Sequence, residues 1–230
     1  MKRKCFVLLP ILSSLSLTSC FNITKPISKE KFLEKFNQIT SNYEDISNCP
    51  KNIHINTKLS VDRYDYKEGE YYSYYMFALI VVVPITSGVY TWKEDGKYYR
   101  AETHTDSSKN KYFEISEEQF NSYMESHKQK IWNLIGEPIT RVNSLIDITE
   151  DDFYKDVKQS YYAHSKGVGF NANAASKNME DTKYKVTVEF QNLLPLVNKT
   201  ITYTGNTKSE SYYEYHLNEA KFIHPNVDEN

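Results

Sequence analysis

The feature that most constrains the fold is the alternation of apolar and polar residues in two separate parts of the chain. Apolar or β-branched residues occupy every second position of 53–61. Apolar residues occupy every second position of 184–190 in the same way. Because successive side chains of a β-strand point to opposite faces, this period predicts strands with one buried face. Between the two parts, from Ser116 onward, apolar residues recur at helical spacing instead. The chain therefore combines sheet with helix.

The first half of the chain is predicted to contain one helix and then several strands. Over 28–43 apolar residues recur at helical spacing, and Ser28 suits the N-terminal cap. A long aromatic and β-branched strand is predicted at 71–83. The turn residues Glu94-Asp95-Gly96 then indicate a hairpin.

Helical structure is predicted to return at Ser116, which has the capping-box spacing with Gln119. Gly136 followed by Pro138 is predicted to end this helix. Three further elements are expected before the sheet resumes: a short helical turn at 142–146, a capped helix at 149–161 and an irregular loop at 165–178. The last third is predicted to be strand at 183–190, 200–204 and 211–223.

This grouping predicts an α+β fold, with a curved, half-barrel-like antiparallel sheet covered on one face by two to four helices. A single domain is expected over 28–225, with a disordered tail at 226–230. The element order resembles the half-barrel of the bacterial lipoprotein-carrier and mycobacterial lipoprotein families. The resemblance rests on element order alone. It implies a curved sheet that wraps helices around an apolar cavity.

The first twenty residues have the layout of a secretory signal peptide. Lys2, Arg3 and Lys4 form a cationic head, and an apolar run at 6–17 follows, interrupted by serines and a proline. The run is about a dozen residues long, whereas a helix that crosses a bilayer needs roughly 20. A cleaved leader over 1–19 is therefore expected rather than a permanent transmembrane helix.

The end of this segment resembles the lipobox of bacterial lipoproteins, since Leu17, Thr18 and Ser19 lead into Cys20. The resemblance implies cleavage after Ser19 and a diacylglycerol group on the Cys20 thiol, with 20–27 as a tether. It also implies a location at the extracytoplasmic face of a bacterial membrane. Two or three acyl chains bury enough methylene groups for stable anchoring. The alternative is an ordinary cleaved signal peptide with a chance cysteine.

Charge argues against nucleic-acid partners. Loss of Lys2, Arg3 and Lys4 lowers Lys plus Arg from 28 to 25 against 30 acidic residues, so the net charge moves from −2 to −5. A mildly acidic domain has no electrostatic attraction to a phosphate backbone.

Once Cys5 is removed with the leader and Cys20 carries lipid, Cys49 is left without a partner for a disulfide. An unpaired thiol next to a proline in a turn is expected to be inert.

The histidines and acidic residues do not fit a catalytic or metal-binding motif. His104 and Asp106 are in principle a metal pair, but a solvated charge pair on a hairpin edge explains them better. His127 lies on the apolar face of its helix and is interpreted as a boundary histidine with a local partner. The densest acidic group has no glycine for a calcium-binding turn and is better explained by the start of a helix; it comprises Asp147, Glu150, Asp151 and Asp152.

Two short matches are also better explained by local structure. Ser28 and Lys31 have the Ser-x-x-Lys spacing of penicillin-binding enzymes, but the companion motifs are absent and Ser28 is a predicted helix cap. Gly167 and Gly169 lack the third glycine of a nucleotide loop and indicate a flexible loop. We therefore predict no catalytic residue, no cofactor and no metal site. Cys20 is the one residue with an assigned role, as the lipid attachment site.

The tyrosine-rich strands are the feature most suited to contact a ligand. Six tyrosines fall within twelve positions, at 64, 66, 71, 72, 74 and 75. Stacked on one sheet face, they would line an apolar cavity or present an aromatic platform, although simple packing also explains them. The leading hypothesis is a non-enzymatic, membrane-anchored lipoprotein that binds an apolar or amphiphilic, lipid-like ligand in a sheet–helix cavity. The alternative is an interaction module that binds a protein partner or an envelope glycan through an aromatic face.

Overall fold

A computed structural model describes residues 24–57, 62–77, 85–151, 153–179 and 181–222. Within these residues there are two α-helices, α1 (Lys29–Tyr43) and α2 (Glu117–Leu145). The described strands are twelve in number: β1 (Lys25–Pro26), β2 (Asn52–Thr57), β3 (Arg63–Lys67), β4 (Glu70–Phe77), β5 (Ile85–Glu94), β6 (Lys97–His104), β7 (Lys111–Ile115), β8 (Tyr154–His164), β9 (Gly167–Ser176), β10 (Thr182–Gln191), β11 (Leu194–Thr204) and β12 (Thr207–Leu217).

The twelve strands form one open, curved sheet in which every neighbouring pair is antiparallel. Their order is β1-β8-β9-β10-β11-β12-β2-β3-β4-β5-β6-β7, so β1 and β7 are the edges. The first and last thirds of the chain meet where β12 pairs with β2 and Tyr215 lies opposite Ile55. Both helices pack on the same face, which we call the helix side, and the opposite face is the outer side.

The predicted fold class was wrong. The described protein is mainly β, a single large sheet with two helices, rather than an α+β fold with two to four helices. The difference arises largely between α2 and β10. There, the predicted helix over 149–161 and the predicted loop over 165–178 are instead the long hairpin of β8 and β9.

The apolar spacing of β8 is compatible with a helix as well as with a strand. The pairing of β8 with β9 shifts register between Lys155 and Lys158, and Asp156 has a φ of 56°. Val157 and Tyr161 lie four positions apart, a spacing that puts two residues on one face of a helix and also on one face of a strand. The bulge breaks the alternation only before Lys158. The Asp151 carboxylate, expected at a helix start, instead accepts hydrogen bonds from the backbone N–H groups at the beginning of the strand.

The glycines of β9 are required by close contacts, not by flexibility. A Cβ on Gly167 would lie 1.8 Å from the carbonyl oxygen of Phe190 in the neighbouring strand. On the outer side, a Cβ on Gly169 would lie 2.1 Å from the ring of Tyr162, its partner in β8. Strand propensity is low for glycine, alanine and asparagine, but pairing on both edges of β9 outweighs it.

Helix α2 continues through the predicted stop at Gly136 and Pro138. The capping box of Ser116 and Gln119 is confirmed, but the helix ends at Leu145 and includes the turn predicted at 142–146. Because proline has no N–H, Pro138 leaves the carbonyl oxygen of Leu134 without its helical donor. The buried Tyr215 hydroxyl donates to that oxygen at 3.0 Å. A strand thus supplies the hydrogen bond that the helix lacks.

The helix side contains two apolar clusters. The α1 core lies under α1 and the end of α2, and its buried residues are Phe32, Phe36, Ile39, Ile139, Val142, Ile146, Val168, Phe170, Ala172, Val186, Val188 and Phe190. The α2 core lies under the first two thirds of α2, and its buried residues are Cys49, Ile53, Ile55, Tyr66, Tyr71, Phe120, Met124, Ile131, Trp132, Ile135 and Tyr215.

Several local predictions are confirmed. The alternation at 184–190 is β10, and that at 53–61 begins β2 as far as Thr57, the last residue described there. Asp95 and Gly96 form the turn between β5 and β6, both with positive φ. The strand predicted at 71–83 is β4 as far as Phe77, and the rest of it lies outside the described residues. Neither described α-helix is long and apolar enough to span a bilayer.

Candidate functional site

A groove of about 520 Å³ lies between α1 and the adjacent ends of β8–β11. Three separate segments of the chain build it: the start of α1, the turn between β8 and β9, and the turn between β10 and β11. Its lining residues are Ile27, Lys31, Glu34, Lys35, Gln38, Ile39, Ala163, Lys166, Gly167, Val168, Phe190, Asn192 and Leu193. Sequence reasoning predicted a sheet–helix cavity but identified none of these residues as its lining.

The floor of the groove is the margin of the α1 core. Val168 and Phe190 rise from the sheet, and Ile39 faces them from α1, so the floor is apolar. The absence of a Cβ at Gly167 lets β9 lie against Phe190 at this point. The groove is therefore continuous with a well-packed core, and its floor is held in place by that packing.

The start of α1 is fixed by several contacts. The Ser28 hydroxyl accepts the backbone N–H of Lys31 at 3.4 Å, as the predicted cap requires, and the N–H of Ile27 donates to the Tyr161 carbonyl at 3.0 Å. Lys29 donates to the carbonyl of Ile146 at 2.9 Å and to the carboxylate of Asp147 at 2.7 Å. The hydrogen bond to Asp147 raises the pKa of Lys29. These contacts join α1 to β8 and to the end of α2, and so fix the width of the groove.

The rim of the groove is cationic. Lys31 and Lys35 lie one helical turn apart on α1, and Lys166 lies in the turn between β8 and β9. Glu34 is the one acidic side chain in the lining, so three ammonium groups and one carboxylate give a local charge of +2. The chain from Cys20 onward carries −5, which makes this local excess opposite in sign to the protein as a whole.

Leu193 forms one wall of the groove in an unusual backbone conformation. Its φ is 64°, and its side chain is 42% exposed at the tip of the hairpin between β10 and β11. The other described non-glycine residues with positive φ are aspartates and asparagines, which tolerate this region: Asp95, Asp156, Asp181, Asn192 and Asn218. A bulky residue there costs on the order of 1–2 kcal/mol. Asn192 and Leu193 form the two-residue turn of this hairpin, which requires positive φ at both positions.

The six clustered tyrosines do not share one face. Tyr66 and Tyr71 are buried in the α2 core, with Tyr64 packed beside them on the helix side. Tyr72 is on the outer side, where it pairs with Asp65 and stacks on Tyr90. Tyr74 lies on the outer side as well, and Tyr75 is 50% exposed. They do not line the groove, and they do not form a single aromatic platform.

Two other predicted candidates have structural roles. His127 Nε2 lies 3.1 Å from the hydroxyl of Thr91, and its ring stacks on Tyr71 with centroids 3.7 Å apart. Burial lowers the pKa of His127 to about 3, so the ring is neutral at physiological pH. Burial also raises the pKa of the Cys49 thiol to about 11, which leaves it protonated and a weak nucleophile.

The acidic group is divided between structural contacts. Asp147 pairs with Lys29, Asp151 caps the start of β8, and Asp152 lies outside the described residues. Asp106 pairs with Lys109 and caps a short turn. In the part of the chain that the structure describes, no three His, Cys, Asp or Glu side chains are arranged to hold a metal ion.

A polar cluster on the outer side was missed by sequence reasoning. The Asp65 carboxylate is fully buried and accepts hydrogen bonds from His54 Nδ1 at 2.9 Å, Arg63 Nε at 2.5 Å and the Lys221 backbone at 2.9 Å. Burial works against ionisation, but these hydrogen bonds outweigh it and lower the pKa of Asp65. The cluster fixes the segment after β12, which leaves the sheet at Asn218 instead of continuing to the predicted 223. Lys221 is 156 positions away from Asp65 in the sequence, so no local motif indicates the complete cluster.

Cys20 and the leader over 1–19 lie outside the described residues, so the lipoprotein assignment stays a prediction. Part of the predicted tether is described: Lys25 and Pro26 form β1, which pairs with β8. No family model, curated protein or solved structure matches the chain.

Proposed function

We propose that the protein is a membrane-anchored extracytoplasmic lipoprotein that binds the apolar chain of an amphiphile in the groove beside α1. The observation that carries this proposal is the groove itself, an apolar floor of about 520 Å³ between helix and sheet with polar groups confined to its rim. Ligand sites in proteins commonly enclose ~300–1,000 Å³ and combine apolar walls with a few polar groups. The volume suits a single alkyl chain better than a large multi-chain lipid.

Each part of the groove has a separate task in this proposal. The floor of Ile39, Val168 and Phe190 removes the alkyl chain from water, and each buried methylene contributes about 0.8 kcal/mol. Leu193 covers the chain from the hairpin tip, and its strained backbone holds the side chain at the mouth. Affinity should then rise roughly fourfold for each added methylene until the floor is filled.

The lining supports binding rather than catalysis. Its described residues include no histidine, cysteine, serine, threonine, tyrosine or aspartate. Lysine and glutamate can also act in catalysis, but Glu34 forms no ion pair with Lys31, Lys35 or Lys166, so the described lining assembles no nucleophile–base pair. The alternative, an aromatic interaction face, requires exposed tyrosines grouped on one surface. The clustered tyrosines are instead divided between the two sides of the sheet, and this favours the groove.

The anchor belongs to the same proposal. Cys20 precedes Ile27, a residue of the groove, by seven positions. Seven residues of extended chain reach at most about 25 Å. A lipid on Cys20 would therefore hold the mouth of the groove close to the membrane surface, where amphiphiles are concentrated.

Two measurements test the proposal. Native mass spectrometry of the gently purified mature protein should show a retained lipid-like molecule. Calorimetric titration of the full chain carrying Cys20→Ser with C8, C10 and C12 carboxylates should show affinity that increases with chain length. Ala163→Trp places a ring in the groove and should abolish binding, whereas Ser160→Trp places the same ring on the outer side of the same strand and should not. Retention of binding by Ala163→Trp, or no binding by the parent chain, would refute the groove as the site.

A further inference from the structure

We propose that the groove selects amphiphiles with an anionic head group, a carboxylate or a phosphate monoester, over uncharged amphiphiles with the same chain. This inference rests on the proposed function and adds the chemistry of the polar end of the ligand. The head group would lie at the rim, where Lys31 and Lys35 approach from α1 and Lys166 from the opposite side. The alkyl chain would lie along the apolar floor.

The three lysines of the rim lack ion-pair partners among the described residues. Lys31, Lys35 and Lys166 form no ion pair with any residue that the structure describes. Some lysines elsewhere are paired, such as Lys29 with Asp147 and Lys199 with Glu210. Lys158, Lys183 and Lys185 on the outer side resemble the rim lysines in having no ion pair with a described residue, but they do not border the apolar floor of the groove. Glu34, although in the same lining, lies beyond ion-pair distance of the rim lysines. The positive charge of the rim is therefore left for an external anion.

Two of the rim lysines lie four positions apart on α1. Like charges at positions i and i+4 of a helix destabilise it, and Lys31 and Lys35 have this spacing. An anion between them would replace repulsion with two charge-assisted hydrogen bonds. A carboxylate or a phosphate has enough oxygen atoms to accept from several ammonium groups at once.

The rim also contains neutral side chains that can donate hydrogen bonds. Gln38 and Asn192 also line the groove, and their side-chain amides can donate hydrogen bonds to the same oxygen atoms. A cationic head group would meet three ammonium groups and one carboxylate, and would be repelled. An uncharged hydroxyl would gain a hydrogen bond but no charge assistance. The rim therefore discriminates by charge, and the floor by chain length.

The experiment compares three probes with one alkyl chain: decanoate, decyl phosphate and 1-decanol. Each is titrated at pH 8 into the full chain carrying Cys20→Ser, at low salt and again in high salt. Decanoate and decyl phosphate are expected to bind about tenfold more tightly than decanol at low salt. The difference should shrink in high salt, because screening weakens exposed charge interactions. Comparison of the two anions shows which head group the rim prefers.

The variants assign the preference to the rim. Lys31→Gln, Lys35→Gln and Lys166→Gln together should remove the preference for anions, so that decanoate, decyl phosphate and decanol bind this variant with similar affinity. The matched control is Lys158→Gln, Lys183→Gln and Lys185→Gln, which removes the same charge from a lysine cluster on the outer side. The control should keep the preference, and glutamine preserves helix propensity in α1.

Failure of this inference can be told apart from failure of the proposed function. Equal binding of decanol and decanoate would refute the selection for anions while the groove remains a binding site. Loss of the preference in the control triple variant would also refute it, since the effect would then reflect overall charge. If none of the three probes binds, the proposed function itself is wrong.

Discussion

The two ends of the helix side of the sheet differ in how completely helix covers strand. Helix α2 has 29 residues and extends about 44 Å across the sheet, and under it the α2 core is filled. Helix α1 has 15 residues, about 22 Å, and the ends of β8–β11 extend beyond its cover. A groove is left where the shorter helix α1 does not cover the ends of the strands. The binding site therefore lies at the margin of a core rather than inside it.

The polar groups of the two regions differ in the same way. At the α2 core, the Tyr215 hydroxyl donates to the Leu134 carbonyl and His127 Nε2 lies 3.1 Å from the Thr91 hydroxyl, so these two polar side chains have partners within the protein. At the groove, Lys31, Lys35 and Lys166 have none among the described residues. Hydrogen bonds between groups of the protein stabilise the α2 core. Lysines without an internal ion pair beside an apolar floor are suited to bind an anionic amphiphile. The two regions should therefore respond separately to mutation.

The largest expected effect comes from truncating a buried residue in each region. Ile131→Ala in the α2 core should lower the free energy of unfolding by about 2–5 kcal/mol without changing decanoate affinity in the protein that remains folded. Ile39→Ala, in the α1 core and the groove, should lower both stability and affinity. Urea unfolding and titration measure the two effects. A loss of affinity in Ile131→Ala equal to that in Ile39→Ala would show that the regions are not independent.

A pH titration should act mainly on the α2 core. Because burial lowers the pKa of His127 to about 3, its contribution to stability is complete above its unfolded pKa of roughly 6.5 and is lost as pH falls towards 3. Between pH 6.5 and 5 this amounts to about 2 kcal/mol, or 1.4 kcal/mol per pH unit.

The matched variants for that titration are His127→Gln and His104→Gln. His127→Gln should lack this loss, so its stability approaches that of the parent protein as pH falls. His104→Gln, at an exposed position, should follow the parent curve. Parallel curves for the parent protein and His127→Gln in urea unfolding would contradict the assignment.

The continuation of α2 through Pro138 should depend on one hydroxyl group. Tyr215→Phe leaves the Leu134 carbonyl buried without a donor and should cost about 1–3 kcal/mol. Pro138→Ala restores the helical N–H, so in the double variant the cost of Tyr215→Phe should largely disappear. A double-mutant cycle by chemical unfolding measures the coupling, and strictly additive effects would show that the hydroxyl does not replace the missing helical bond.

The smallest effect on stability is expected at the groove wall. Leu193→Gly removes the backbone strain, and the added freedom of the unfolded chain offsets this, so stability should stay within about 1 kcal/mol. Decanoate affinity should nevertheless fall roughly three- to tenfold, because an apolar wall is lost. Asp95→Gly, at positive φ in a distant turn, is the control and should leave affinity unchanged. Full affinity in Leu193→Gly would remove this residue from the site.

Local signals in the sequence were sufficient for much of the fold. The alternation at 184–190 and the capping residues Ser28 and Ser116 each depend on neighbours within a few positions, and all were predicted correctly. Longer-range contacts decided the elements that were predicted wrongly. The β8–β9 hairpin depends on pairing with β10, and α2 continues past Pro138 because Tyr215 lies beside Leu134.

The residues of the groove could not be identified from the sequence. Its lining comes from 27–39, 163–168 and 190–193, and nothing in one segment indicates that the others lie beside it. The positive φ of Leu193 in the two-residue turn Asn192–Leu193 is visible only in the structure. The tyrosine cluster was conspicuous in the sequence, but β-strand alternation divides it between two faces.

Photolabelling tests the central claim most directly, because it reports where the ligand lies. A decanoic acid with a diazirine at the end of its chain would be bound to the full chain carrying Cys20→Ser, irradiated, and the labelled peptides identified by mass spectrometry. The groove predicts saturable labelling confined to 27–39, 163–168 and 190–193, and loss of the label when unmodified decanoate is added. Labelling concentrated on β4–β7, or labelling that decanoate does not displace, would contradict the account.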